Sequence, residues 1–256
     1  MESEFKVYDL VILGAGAAGL MSAITAGKRG KNVLILEKSN KIGKKILMSG
    51  GGKSNFTNLH VEPKNFISKN SHFCISALNR YKPNDFIDLV KKHNIPFEEK
   101  KHKQLFCINS SKDMVGMLLK ECDDLGVKII THCDTQSVKN LEKKNSKELL
   151  NFENNARYEI KGMFSNKNID YCFHGGSLII ATGALSIPTL GGSGYGYDVA
   201  RDFSLSLLDR RAGLVPFMFN GPIKEISDRL SGTSLEVEVS CNNHRFLESL
   251  LFTHRG

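Results

Sequence analysis

Residues 9–19, Asp9-Leu-Val-Ile-Leu-Gly14-Ala-Gly16-Ala-Ala-Gly19, carry the reading that decides the fold. Residues 10–13 are an uninterrupted apolar run of strand length, and residues 17–29 continue with the small and apolar side chains of a helix packed tightly on a sheet. Val33-Leu-Ile-Leu36 is a second strand, and it ends on an acid, Glu37. Strand, helix and strand together span about thirty residues, the length of a right-handed parallel crossover.

The pattern Gly14-x-Gly16-x-x-Gly19 is weak alone. With 23 glycines in 256 residues, three at this spacing arise by composition in about one such sequence in six. Context makes it specific, because the glycines follow an apolar strand, open an alanine-rich helix and precede a strand ending in Glu37. Gly14 suits the tight turn, Gly16 admits a pyrophosphate close to the backbone, and Gly19 lets the helix lie near the strand. The helix N-terminus then offers free N–H groups to phosphate. Glu37 can accept from both ribose hydroxyls. A 2′-phosphate at that place would meet a like charge, costing of order 4 kcal/mol at about 4 Å and an effective dielectric of about 20. NADP is therefore disfavoured here, and FAD and NAD both remain open.

At 256 residues the chain holds one large domain, or one plus a fragment of another. Hydrophobic residues make up 41%, and no apolar run approaches the roughly 18–20 residues of a membrane span. Met1-Glu2-Ser3-Glu4 is acidic where a secretory leader would be basic, so the expectation is a cytoplasmic protein without a membrane partner. Six cysteines, at 74, 107, 122, 133, 172 and 241, include no C-x-x-C pair. Zinc and thioredoxin spacings are thus missing, and reduced, mostly buried thiols with no metal are expected. Lys and Arg number 35 against 27 for Asp and Glu, a balance that suits polyanionic ligands. The lysine-rich stretches 38–53, 91–103 and 139–147 hold a single phenylalanine, Phe97, and not the aromatic interleaving that an RNA-stacking platform shows. They read as a solvated basic face. The expected partner is a small-molecule substrate rather than nucleic acid, and oligomeric state is not legible.

Further along, Phe86, Ile87, Leu89 and Val90 recur at helical spacing after Pro83, and Met114, Val115, Leu118 and Leu119 repeat the pattern before a Gly126 stop. Residues 127–131 read as a strand, 138–155 as a polar loop or hairpin excursion, and 177–181 as an apolar strand. Leu235-Glu-Val-Glu-Val239 alternates, which suggests antiparallel pairing, and a boundary into a second domain falls between residues 197 and 215. No internal repeat is visible.

Two segments favour FAD over NAD. Gly43-Lys-Lys-Ile-Leu-Met-Ser49-Gly-Gly-Gly-Lys-Ser-Asn55-Phe-Thr57-Asn58 places adjacent glycines, able to lie against a flat or phosphorylated ligand, beside donors from Lys45, Ser49, Asn55 and Thr57. Ile179-Ile-Ala-Thr-Gly183 is a strand whose end would approach the same cofactor from another direction.

On these segments the chain resembles the BaiN/RdsA-type NAD(P)/FAD-dependent oxidoreductases, the aminoacetone-oxidase-like flavoproteins. Residues 43–58 are similar to that family's most specific signature, Ala181-Thr-Gly-Ala-Leu-Ser-Ile-Pro188 with Gly191-Gly-Ser-Gly-Tyr-Gly-Tyr197 to a second, and Leu250-Leu-Phe-Thr-His254 to a third. The resemblance runs essentially from end to end. It implies an α/β fold: a glutathione-reductase-like FAD-binding Rossmann domain over residues 1–200, then part of an inserted, mainly antiparallel β domain over 201–256. Carried over by position, Gly14, Gly16, Ala17, Ala18 and Gly19 would hold the pyrophosphate, and Glu37, with Lys38 beside it, the adenosine ribose. Lys45, Ser49, Gly50, Gly51 and Asn55 would lie along the flavin half, Thr135 would pass the adenine, and Ala181, Thr182 and Gly183 would close over the cofactor.

Ser54 stands where the family commonly has Cys, which argues against an essential thiol there, and Tyr195 stands where Asp is common. The chain stops at Gly256, whereas the resemblance implies the rest of the inserted domain and a return to the FAD domain, so it implies a truncated chain. In a flavin enzyme the cofactor carries the redox chemistry, and no catalytic side chain is demanded. Lys45 could stabilise reduced flavin or simply lie on phosphate, and His254 reads as uninvolved. Three functions follow: an FAD-dependent oxidoreductase driven by NAD(P)H and acting on a small organic acceptor, a flavin-binding fragment without turnover, or an RNA-modifying flavoprotein.

Overall fold

The computed structural model describes residues 7–141, 156–187, 192–213 and 215–256. By internal contacts the chain forms two units, residues 1–206 and 207–256.

The first unit is built on a six-stranded sheet. Strand β1 (Val7–Leu13) is followed by helix α1 (Ala17–Gly27) and by β2 (Val33–Leu36), which pairs with β1 in parallel from Leu10↔Val33 to Leu13↔Leu36. Helix α2 (Lys44–Met48) leads through a 3-10 turn at Ser49–Gly52 into β3 (Asn55–Asn58), then α3 (Ile75–Arg80) and α4 (Pro83–Lys92). Strands β4 (Phe97–Glu99) and β5 (Gln104–Cys107) join β3 in a small antiparallel sheet of order β3-β5-β4. Helix α5 (Ser111–Asp124), capped by the Ser110 hydroxyl on the Lys112 N–H, returns the chain to β6 (Lys128–Ile130). Strands β7 (Cys133–Asn140), β8 (Tyr158–Phe164) and β9 (Ile169–Ile180) form a meander, and α6 (Tyr195–Asp202) follows. The sheet order is β6-β2-β1-β9-β8-β7, with β6, β2, β1 and β9 mutually parallel.

β9 is long because it serves two neighbours. Its first half pairs antiparallel with β8, from Phe164↔Ile169 to Tyr158↔Gly175, and its second half runs parallel to β1, ending at Leu13↔Ile180. Of the two readings of residues 138–155, loop or hairpin excursion, the described part fits the hairpin, since Val138 is buried on β7 and pairs antiparallel with Ile160. A strand buried on one face needs apolar residues only at alternate positions, so Cys133-Asp-Thr-Gln-Ser-Val138 reads as polar although it is a strand. The remainder of that stretch, residues 142–155, lies outside the described residues, as do Pro188 and Gly191.

β1 is buried on both faces, as a central parallel strand should be. Leu10 and Ile12 face α1 and α5 with Leu20, Ile24, Met114 and Leu118, while Val11 and Leu13 face Leu34, Ile160 and Tyr171. Burying each large aliphatic side chain contributes about 1.5–3 kcal/mol, so this strand is the seat of the core.

In the second unit, helix α7 (Gly221–Arg229) precedes a hairpin of β10 (Ser234–Cys241) and β11 (His244–Leu251), closed at Cys241↔His244 with Asn242 in the left-handed region. This is the antiparallel pairing that the alternation at residues 235–239 predicts. The buried Ser227 hydroxyl donates to the Thr253 carbonyl at 2.8 Å, joining helix to C-terminus.

Candidate functional site

The carboxyl ends of the four parallel strands meet at one edge. Gly14 N–H donates to Leu36 O, Ala181 N–H to Leu13 O and Glu37 N–H to Ile130 O, each at 2.8 Å. Ligands of open parallel sheets bind beyond these ends. A cavity of about 510 Å³ opens there in the first unit, within the usual range of about 300–1,000 Å³ for small-molecule sites.

The three glycines divide the work sterically. A Cβ on Gly19 would stand 1.9 Å from the Gly14 carbonyl oxygen, so only glycine lets α1 start this close to the turn. A Cβ on Gly14, whose φ is +105°, would meet the Ala181 carbonyl at 2.5 Å. Gly16 has nothing within 4 Å of its Cβ position, and that space belongs to the cavity. The first intrahelical bond is Leu20 N–H to Gly16 O, which leaves the earlier N–H groups of α1 for a ligand.

Glu37 closes the turn from the side. Its Oε2 accepts the Ala15 N–H at 2.7 Å and its Oε1 the Ser39 N–H at 2.8 Å. Each oxygen keeps lone-pair capacity on the cavity side. Lys38 also lines the cavity and pairs with Asp134 at 2.8 Å. The segment carrying Lys45 is pinned above by Gly43 N–H to Ala15 O and by the buried Ser111 hydroxyl on Leu47 O. Lys45 Nζ lies 3.3 Å from Ser186 Oγ and over Gly183.

Of the residues expected from sequence, Gly14, Gly16, Ala17, Ala18, Glu37, Lys38, Lys45, Thr135, Ala181, Thr182 and Gly183 share this one cavity. Gly19 is buried beneath it. Ser49, Gly50, Gly51 and Asn55 do not line it. The Ser49 hydroxyl donates to Ile46 O, and a Cβ on Gly50 would strike the Phe106 ring at 2.6 Å, so these two fasten the 3-10 turn onto the small sheet.

Asp134, Ser193, Gly194 and Tyr195 also line the cavity. The last three begin α6, a second helix N-terminus at the same edge, signalled in sequence only by Ser-Gly before an amphipathic segment. Thr182 Oγ1 and the Tyr195 hydroxyl are buried without a hydrogen-bond partner among the described residues. Burial pushes the Tyr195 phenol up to about 12, so it stays a neutral donor. Two stranded hydroxyls beside a backbone cradle fit a large polar ligand that would satisfy them. Cys133 also lines the cavity, and burial pushes its thiol up to about 12, so it stands there as a protonated thiol.

A parallel sheet whose first crossover presents a glycine turn, a helix N-terminus and a glutamate to one cavity is a dinucleotide-binding Rossmann fold, and the family it matches makes it the FAD-binding fold of flavin-dependent oxidoreductases. The chain belongs to the HI0933-like protein Rossmann domain family, whose model matches residues 8–225; this is the BaiN/RdsA-type family that the glycine-rich signatures resemble. It is 42% identical over 253 residues to the ribosomal RNA dihydrouridine synthase of Escherichia coli, covering 97% of this chain and 58% of that protein. The protein of the same name from Haemophilus influenzae is 40% identical over 248 residues, with 96% and 58% covered. The chain thus spans somewhat over half the length of these curated relatives. Among solved structures, 3-ketosteroid-Δ4-(5α)-dehydrogenase from Rhodococcus jostii shares the fold, with a TM-score of 0.50 at 15% identity over 72% of this chain and 47% of that one.

The relatives overturn the expected partner. Both are named for ribosomal RNA, whereas the sequence reading favoured a small-molecule substrate and no nucleic acid. Two of the three lysine-rich stretches have no aromatic, and Phe97 in the other packs edge-on against Phe56, which argues against a stacking platform there. They do not exclude an RNA held by its phosphates and shape. As for the membrane, no helix among the described residues is long and apolar enough to cross one.

Proposed function

We propose that this chain carries the FAD-binding part of an enzyme that reduces uridine in ribosomal RNA to dihydrouridine. The observation that carries this reading is the 42% identity to a ribosomal RNA dihydrouridine synthase over 97% of the chain, cavity included. Bound FAD would take a hydride from a nicotinamide, NADH or NADPH, and deliver it to the C5=C6 bond of uridine, with a proton completing the saturation.

The residues of the chain bind and orient. The N–H groups opening α1 meet the pyrophosphate, and Glu37 accepts the ribose hydroxyls while its two backbone bonds hold it in place. Thr182 and Tyr195 lend their unmatched hydroxyls to the cofactor. Lys45 sets a positive charge over the Ala181-Thr-Gly183 end of the cavity.

Support for an RNA face comes from a stretch that the lysine counts passed over. Phe66, Phe73 and Tyr81 are exposed there among exposed Lys64, Lys69, Arg80 and Lys82, the mixture of aromatic and basic side chains that suits unpaired bases and phosphates. For the domain layout, residues 176–180 of β9 pair only with β1 among the described residues. We assign that open edge to a return segment, drawn from the part of the relatives' length that this chain does not span.

The test is direct. Exchanged for the matching part of either relative, so that the rest of the enzyme is present, the FAD-loaded chain, given NAD(P)H and an unmodified ribosomal RNA transcript, should yield dihydrouridine by nucleoside mass spectrometry. Flavin that is reduced and reoxidised without any dihydrouridine in the RNA would sink the reading.

A further inference from the structure

On the meander, away from the cofactor cavity, three donor atoms of different chemistry converge. Glu159 lies opposite His174 in the β8–β9 register and Lys161 opposite Cys172, so all four side chains rise from one face of the sheet. Glu159 Oε2 is 3.8 Å from His174 Nε2 and 4.0 Å from Cys172 Sγ, and the sulfur is 4.0 Å from the same nitrogen. We propose that Glu159, Cys172 and His174 bind a borderline-soft divalent cation, zinc by the choice of donors.

The geometry carries the argument. A point equidistant from three atoms with these separations lies about 2.3 Å from each, and zinc takes sulfur at about 2.3 Å and nitrogen or carboxylate oxygen at about 2.0–2.2 Å. Closing the oxygen and nitrogen inward by a few tenths of an ångström completes three-ligand coordination. His174 is buried and Cys172 exposed, so the base is rigid while the sulfur side admits a water as fourth ligand.

Lys161 is the competitor. Its ammonium sits 3.0 Å from the Glu159 oxygen that the metal needs, and binding must displace it and release the Cys172 proton. An ordinary ion pair would account for Lys161, Glu159 and His174. The Cys172 thiol, which donates to the same Glu159 oxygen at 4.0 Å, adds the soft donor that an ion pair does not need. The filled site would brace β8 against β9, which ends at Ile180 beside the cofactor cavity.

Cobalt reports the site without reference to activity. Titrated into the FAD-loaded chain, Co²⁺ should bind at one equivalent, with visible d–d bands at wavelengths beyond the flavin absorption and a thiolate charge-transfer band, both abolished by zinc. Cys172→Ser, at an exposed position that folding tolerates, should lose the charge-transfer band and weaken binding at least tenfold; Glu159→Gln should weaken it comparably. Lys161→Met should bind as tightly as the parent or tighter. Absence of saturable binding, a Cys172→Ser spectrum identical to the parent, or weaker binding by Lys161→Met would each overturn the proposal.

Discussion

The carboxylate of Glu37 accepts the backbone N–H of Ala15 at 2.7 Å, linking the end of β2 to the middle of the glycine turn across 22 residues. One side chain therefore shapes the glycine turn and also lines the cavity, where the proposed function puts the ribose. Glu37→Ala removes both effects, whereas Glu37→Gln retains one acceptor oxygen. Glu37→Ala should weaken FAD binding by tenfold or more, about 1.4 kcal/mol, with the Gln variant between it and the parent. Quenching of flavin fluorescence on titration measures this, and unchanged affinity in the Ala variant would refute the ribose role.

Gly16 and Gly19 should respond in opposite ways to the same methyl group. Gly16→Ala meets nothing within 4 Å, so the thermal midpoint without cofactor should stay at the parent value while FAD affinity falls. Gly19→Ala drives a Cβ to 1.9 Å from the Gly14 oxygen, and the forced shift should cost about 1–3 kcal/mol of stability. Calorimetry of both variants separates them; equal loss of stability in the two would contradict the assignment of the open space to the ligand.

Thr182→Val and Tyr195→Phe delete buried hydroxyls that lack partners among the described residues. Leaving such a group unsatisfied costs about 1–3 kcal/mol, so the variants should be as stable as the parent or more so without FAD. With saturating FAD they should gain less stabilisation than the parent does. Thermal midpoints with and without cofactor give the comparison, and a full cofactor-induced gain in both variants would show that neither hydroxyl meets the ligand.

Glu121 is 4% exposed and joins three helices: Lys92 donates to it at 2.6 Å, His93 contacts it at 2.8 Å and Lys28 lies at 3.6 Å. The Lys92 hydrogen bond above all, then that of His93, holds its carboxyl down to about 2 against an ordinary 4.5. A carboxyl lowered by folding contributes stability that is full above its unfolded pKa and lost as pH falls through the folded one. Glu121→Gln should therefore cost about 1–3 kcal/mol near neutrality, with the gap to the parent narrowing from about pH 4.5 toward pH 2. Urea denaturation across that range checks it; a gap independent of pH would disprove the linkage.

How much could be read without a structure depended on how local the physics was. The crossover of residues 9–37, the helices begun by Pro83 and stopped near Gly126, and the hairpin at residues 235–239 announce themselves through periodicity, caps and turns, all set within a few residues of chain. The meander did not, since β7 and β8 are polar on one face and owe their existence to pairing with β9.

Sequence by itself determined that a dinucleotide phosphate site follows β1, because strand, glycine spacing, helix and Glu37 are contiguous and each is required by steric or electrostatic fit. Tertiary structure alone decided the rest of the cavity. It brought Thr135, Thr182 and Tyr195 to the same edge, turned Ser49 and Gly50 toward structural tasks, and gathered Glu159, Cys172 and His174 from two strands. Those outcomes follow from sheet order and strand register, which juxtapose residues distant along the chain and leave no local signature in it.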